Sequence, residues 1–170
     1  MGVEPLLPRL LEVFGTRILA SHSDHGDETI VIDRDQSLDI FRELRDRPEF
    51  GFNFLMDLTA ADYLGKTPRF EVVYHLMSLT NRYRLRVKVG VPEEDPVTAS
   101  LVPLWKTANW FEREVWDLFG IRFAGHPDLR RILMYEEFVG HPLRKDYPVN
   151  KRQPLVAERD PIAQDWKFNG

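Results

Sequence analysis

The sequence predicts an α+β fold, a mixed and largely antiparallel sheet with helices packed against it, followed by an extended C-terminal segment. Three patterns lead there. Runs rich in Val, Tyr and Phe between Phe54 and Val91 read as strands. Apolar residues at three- and four-residue steps mark helices before and after them. Beyond Gly120 neither period persists for more than a few residues, although large apolar side chains continue to the end. A chain of 170 residues defaults to one domain, long enough to bury about two thirds of its unfolded surface without a disulfide or metal staple.

Leu6, Leu7, Leu10, Leu11 and Phe14 follow helical spacing, and Gly15 stands where a C-cap would stop them. Arg17 to Ser21 and Thr29 to Asp33 read as short strands around a turn at Asp24-His25-Gly26-Asp27. Asp35 or Ser37 is positioned to cap a second helix whose apolar face carries Leu38, Phe41 and Leu44, with Pro48 just past its end. Strands are expected at Phe54 to Leu58, Phe70 to Leu79 and Arg82 to Val91, the last two joined through Thr80-Asn81. In the last strand Tyr83, Leu85, Val87 and Val89 alternate with Arg84, Arg86 and Lys88. That predicts one buried and one wet face, since a nucleic-acid track would interleave aromatic residues with the basic row. After the acidic loop Pro92 to Pro96, the residues Leu101, Leu104, Trp105, Ala108, Phe111, Val115, Leu118 and Phe119 trace one helical stripe. Pro103 separates a first turn, so the regular helix starts near Thr107 and ends at a left-handed cap at Gly120.

Residues 121–170 hold five of the twelve prolines and carry a charge of +2, nine basic against seven acidic residues, where residues 1–120 carry −6. They also carry Phe123, Ile132, Leu133, Tyr135, Phe138, Val139, Leu143, Tyr147, Leu155, Ile162, Trp166 and Phe168. An aperiodic segment so apolar must lie along a surface, either its own domain or a partner, and its length favours the partner. The expected division is therefore an α+β domain at 1–120, able to fold after truncation at Gly120, and a partner-wrapping arm at 121–170.

Composition removes several kinds of chemistry. Without cysteine the chain supplies no thiolate for an iron–sulfur cluster, a Cys-type zinc site, a nucleophile or a redox disulfide. A net charge of −4 argues against general nucleic-acid binding. No apolar run approaches the roughly 20 residues that span a bilayer. The N-terminus Met1-Gly2-Val3-Glu4-Pro5-Leu6 has neither a signal-peptide pattern nor a myristoylation motif, so membrane association is expected only through a partner.

The ionisable residues worth attention cluster late in the chain. Helical geometry puts Glu112 inside the apolar stripe and Glu114 and Asp117 about 60° apart on a flank. Glu112 then reads either as a catalytic acid with a raised pKa or, as the residues around it favour, as half of a structural ion pair with an arginine. Gly125-His126-Pro127-Asp128-Leu129-Arg130-Arg131 is partly echoed by Gly140-His141-Pro142-Leu143-Arg144-Lys145-Asp146. Each histidine sits between Gly and Pro, which suits a turn whose imidazole bonds backbone better than it suits a zinc site. Gly120 to Gly125 mimics the start of a phosphate loop, but His126-Pro127 replaces the required Lys-Ser/Thr, and no Gly-x-Gly-x-x-Gly occurs. Arg130-Arg131 and Arg144-Lys145 read either as solvated charge or as an interface pairing with a partner. On the interface reading, replacing Arg130 and Arg131 weakens assembly more than stability.

The run Trp110-Phe111-Glu112-Arg113-Glu114-Val115-Trp116-Asp117-Leu118-Phe119-Gly120-Ile121-Arg122-Phe123-Ala124-Gly125-His126-Pro127-Asp128-Leu129-Arg130-Arg131-Ile132-Leu133-Met134 resembles the signature of the C subunits, the 30-kDa subunit family, of proton-pumping NADH:quinone oxidoreductase, respiratory complex I. Gly140 to Pro148 matches the same family, and Phe70 to Leu79 does so more loosely. The resemblance implies a structural subunit of the peripheral arm that binds no cofactor and supplies no catalytic residue. It implies two partners: the quinone-binding D subunit, over which the C-terminal segment wraps, and the B subunit, which carries an iron–sulfur cluster. The complex so implied passes electrons from NADH through FMN and iron–sulfur clusters to quinone and translocates protons, with this chain on the cytoplasmic side of the bacterial inner membrane. Related subunits serve membrane-bound hydrogenases and the photosynthetic NDH complex. A metal-dependent hydrolase built on Glu112, Glu114, Asp117, His126 and His141 is the rival from another class.

Overall fold

The computed structural model describes residues 5–156. Met1 to Glu4, with the targeting motifs sought there, and Ile162, Trp166 and Phe168 of the expected arm lie outside the described residues. The chain forms helix α1 (Leu6–Phe14), a 3-10 turn (Gly15–Arg17) and strands β1 (Ile18–Asp24) and β2 (Asp27–Ile32), then helix α2 (Ser37–Asp46). Strands β3 (Phe54–Asp62), β4 (Phe70–Met77), β5 (Arg84–Val91) and β6 (Val97–Ala99) follow, then helix α3 (Ala108–Phe119) and strand β7 (Arg122–Ala124).

Five strands form one sheet in the order β1-β2-β5-β4-β3. All neighbours are antiparallel except β2 and β5, which run parallel with Thr29 opposite Arg86 and Ile32 opposite Val89. The sheet is thus mixed and largely antiparallel, as its sequence predicts. Period-two alternation decides which face is covered. Ile30, Ile32, Phe70, Val72, Tyr74, Leu76, Leu85, Val87, Val89 and Val91 are buried in one core with the apolar stripes of the three helices. Glu71, Lys88 and Arg86 lie on the opposite, wetter face, where Lys88 pairs with Glu71 at 3.0 Å and Arg86 with Asp27 at 3.4 Å. The basic row of β5 is the solvated side of a sheet.

The centre of the core is aromatic. Phe41 of α2 is fully buried, with its ring 4.6 Å from that of Tyr74 and 6.1 Å, edge-on, from Trp105. Such pairs add about 0.5–1.5 kcal/mol beyond the area they bury. Phe14 and Phe50 stack at 5.8 Å and tie α1 to the turn after α2.

Two expectations need correction. Neither Asp35 nor Ser37 caps α2. The Asp35 carboxylate instead accepts from Arg34 Nε at 3.3 Å, and the Ser37 hydroxyl donates back to the Arg34 carbonyl at 2.7 Å, so the turn before the helix uses both groups. The core also continues past Gly120. Ile121 and Phe123 are buried, and β7 pairs in parallel with β6, so truncation after Gly120 strips part of the domain's own interior.

Phe41→Ala is expected to lower stability by about 3–5 kcal/mol, as large-to-small changes at fully packed aromatic sites do. Urea unfolding of the full chain measures it.

Candidate functional site

The residues singled out by sequence sit where α3 meets the segment after β7. Gly120 ends α3 with φ +80° and ψ 11°, a left-handed cap. A Cβ there would lie 2.7 Å from His141 Cδ2, so this glycine is required both by its backbone angle and by the imidazole packed on it. The chain turns through β7, and after Gly125, at φ +84°, residues 126–147 return along α3 and the rim of the sheet as a strap.

Asp117 fastens the first part of the strap. Its carboxylate is fully buried, and Oδ2 accepts three consecutive backbone N–H groups, from Ile132, Leu133 and Met134, at 3.0, 2.8 and 2.9 Å. Oδ1 pairs with Arg131 Nη1 at 2.6 Å. Arg131 Nη2 donates to the Phe138 and Gly140 carbonyls at 2.8 and 3.0 Å, while its guanidinium lies against the rings of Trp116 and Phe138. Burial pushes Asp117 up, but the Met134 N–H, Arg131 and the other two amides outweigh it and hold the carboxyl below its ordinary value. His141 Nδ1 donates to the Asp117 carbonyl at 2.9 Å, and its ring meets Trp116 edge-on. Burial pushes the His141 pKa down.

A second fastening lies at the far end of β3. Asp62 and Arg69 form a bidentate pair at 2.9 and 2.8 Å, both nearly fully buried. Arg69 also reaches Glu93 and, at 3.0 Å, Asp146 of the strap, which Arg144 grips through two bonds at 3.0 and 3.1 Å. The Lys145 backbone N–H donates to Asp62 at 2.8 Å, while the Lys145 side chain is exposed. Arg144 first, and then Arg69, hold Asp146 far below the ordinary carboxylate range.

The remaining candidates separate. Arg113 lies over the Trp110 ring and donates to the Arg130 and Arg131 carbonyls at 3.2 and 3.1 Å. His126 Nε2 donates to the Asn109 carbonyl at 3.2 Å, and its Nδ1 accepts the Asp128 N–H at 3.0 Å. Glu114 and Pro127 are exposed, and exposed Arg130 pairs with Asp128 at 3.0 Å. Arg131 is therefore an internal staple, and the expectation that it meets a partner is corrected for that residue. Glu114 and Asp117 do not act together, one facing water and the other the strap.

Glu112 is fully buried without the arginine expected for it. Its Oε1 accepts the Leu101 N–H at 2.6 Å and its Oε2 the Ser100 hydroxyl at 2.7 Å. Burial without a cation pushes its pKa up to about 7, against the pull of Ser100 and Leu101. The hydrolase reading finds no assembled site, since the Glu112 and Asp117 carboxylates bond neither imidazole and His126 and His141 bond the backbone carbonyls of Asn109 and Asp117. Among the described residues no three His, Asp or Glu side chains could hold a metal ion. Sequence reasoning missed Asp62, Arg69 and Asp146. Asp62 ends a strand that reads as stopping at Leu58, so no periodic signal marks it.

The two carboxylates give opposite pH dependences. Asp117 is depressed when folded, so its contribution is present above the unfolded value and is lost as pH falls through the acid range. Asp117→Asn should cost about 3–5 kcal/mol at pH 7, because it leaves Arg131 without its counter-charge, and should lose less further stability on acidification than the parent does. Glu112 is raised when folded, so its cost is absent below the unfolded value of 4.5 and grows as pH rises towards about 7. Glu112→Gln should flatten that decline, by up to a few kcal/mol, since each tenfold change in proton affinity is worth about 1.4 kcal/mol. Denaturant midpoints of both variants and the parent from pH 2 to 8 check the two signs.

The model for the respiratory-chain NADH dehydrogenase 30 Kd subunit matches residues 30–153. The chain is 46% identical to the C 2 subunit of NADH-quinone oxidoreductase from Rhizobium etli (strain CIAT 652), over 96% of this chain and 90% of that one. It is 51% identical to the C subunit of NADH-quinone oxidoreductase from Roseiflexus sp. (strain RS-1), over 87% and 85%. Its structure matches the trypsin-resistant fragment (1-134) of Nqo5 with a TM-score of 0.65 at 39% identity, over 72% of this chain and 98% of the fragment. A chain of an archaeal membrane-bound sulfane sulfur reductase shares the fold, with a TM-score of 0.71 at 22% identity over 85% of each. With most of its length so matched, the chain belongs to the 30 Kd subunit family of respiratory-chain NADH dehydrogenase.

Proposed function

We propose that this chain is a structural subunit of the peripheral arm of NADH:quinone oxidoreductase and holds its neighbours in place without binding a cofactor or supplying a catalytic residue. Its partners are the quinone-binding D subunit and the cluster-bearing B subunit. The complex it supports passes electrons from NADH through FMN and iron–sulfur clusters to quinone and couples this to proton translocation, with the chain on the cytoplasmic side of the inner membrane. Any attachment to the membrane runs through the partners. No helix among the described residues is long and apolar enough to cross one.

The outer edge of the strap carries this reading. Leu133, Val139 and Leu143 are about half exposed, and Val149 and Leu155 are fully exposed, on a segment that several backbone groups tie to its own domain. Burying such a side chain against a neighbour is worth about 1.5–3 kcal/mol. The strap's fastenings hold Leu133, Val139 and Leu143 in a fixed order before a partner arrives, which lowers the cost of binding. Within the described residues, the partner-directed part of the arm is thus the outer edge of 133–156.

Val149→Asp combined with Leu155→Asp is expected to leave the melting temperature of the isolated chain within about 2 °C of the parent, because neither side chain touches the core. Co-purification with the other subunits should fall at least about tenfold, the effect of losing some 1.4 kcal/mol of binding. Full assembly and full quinone reductase activity of the variant would overturn the proposal.

A further inference from the structure

Glu112 is a fully buried carboxyl that the scaffold role does not use. It sits at a junction. Its two bonds hold Ser100 and Leu101, the residues immediately after β6, and the Ser100 hydroxyl in turn accepts the Val102 N–H at 3.3 Å. The Ser100 backbone N–H donates to the Ala124 carbonyl at 2.9 Å, and the Arg122 N–H to the Pro96 carbonyl at 2.8 Å, closing β7 onto β6 at both ends. The strap leaves the domain one residue after Ala124, at Gly125. A single bonded path therefore runs from the Glu112 carboxyl through Ser100 to the residue from which the strap departs.

The groups around Glu112 leave it without a counter-charge. From β4 the titratable neighbour is Tyr74, a fully buried phenol raised by desolvation and by the Glu112 charge. From β6 and the turn after it come Thr98, Ser100 and Leu101, none of them ionisable. From β3, Asp62 is closed by Arg69, and from α2, Arg45 donates to Asp46 and to the Leu104 carbonyl. On α3 itself Arg113 and Asp117 are committed to the strap, and Glu114 is exposed. A neutral acid carries no charge to desolvate here, and it keeps the Leu101 N–H on Oε1 and a hydrogen bond between Oε2 and the Ser100 oxygen. An anion does not, because two donors replace only part of its hydration.

We propose that Glu112 is a buried proton switch at the root of the strap: with the carboxyl protonated the β6–β7 joint is closed, and on losing the proton it opens locally to admit water between α3 and the Ser100-Leu101 turn. Its raised pKa of about 7 puts this change near neutral pH. The charged strap fastenings at Asp117 and Asp62 respond in the opposite direction, since both carboxyls are held low. Rising pH thus loosens the root of the strap while its two clamps stay shut.

Amide hydrogen exchange on the full chain between pH 4.5 and 8, corrected for the intrinsic pH dependence of exchange, tests this. Protection at Ser100 and Arg122 should fall by up to about tenfold per pH unit as pH rises from the free value of 4.5 to the Glu112 midpoint, one proton being released per opening, and level off above it, while protection at Val87 and Leu133 stays level over the same range. In Glu112→Gln the protection at Ser100 and Arg122 should be independent of pH. A carbon NMR titration of the Glu112 carboxyl in the parent chain supplies the midpoint without any variant. Uniform loss of protection across the sheet, a β6–β7 joint insensitive to pH in the parent, or a Glu112 midpoint below about 5 would each overturn the switch.

Discussion

The Asp117 carboxylate, receiving three successive backbone N–H groups and one guanidinium inside the protein, is the interaction on which the C-terminal half of this molecule depends. The strap at 126–156, with four prolines that have no N–H to donate, makes few backbone hydrogen bonds of its own. It can lie on a domain only if something satisfies its amides. Asp117 takes the amides of 132–134, and Arg131, drawn in by the same carboxylate, covers the carbonyls of 138 and 140. One residue of a helix thereby sets the register of nine residues of strap. The cost of burying the charge is offset because four donors, one of them a guanidinium, meet the carboxylate.

The second clamp shows the same logic at the sheet rim. Asp62, Arg69, Asp146, Arg144 and Glu93 alternate in sign, and the bidentate Asp62–Arg69 pair anchors the group in the interior. Between the two clamps the strap has a fixed path, with Leu133, Val139 and Leu143 exposed. A rigid arm of this kind suits a subunit that organises others, because the ordering of the segment has been met before binding.

Glu112 and Asp117 are five residues apart on one helix and have opposite chemistry. Asp117 meets donors and a cation and stays charged, whereas Glu112 meets a hydroxyl and one amide and is pushed towards neutrality. Residue type did not decide this difference. What the carboxylate faces across the helix did.

The helices, the long strands and the buried face of the sheet were legible because their signals are local: Leu6 to Phe14, the Tyr83 to Val89 alternation and the stripe ending at Gly120 each repeat with the period of the structure they form. The histidines between Gly and Pro bond backbone, as their local chemistry implied. Family membership was legible too, since the run from Trp110 to Met134 is long and specific. Only tertiary structure decided the rest. Three-residue β6 and β7 are too short for a period, and the parallel pairing of β2 with β5 joins residues more than fifty positions apart. That Arg131 turns inward, that Glu112 has no arginine, and that Asp62, Arg69 and Asp146 converge are facts about which segments meet, and charges on different segments show no partner until the chain has folded.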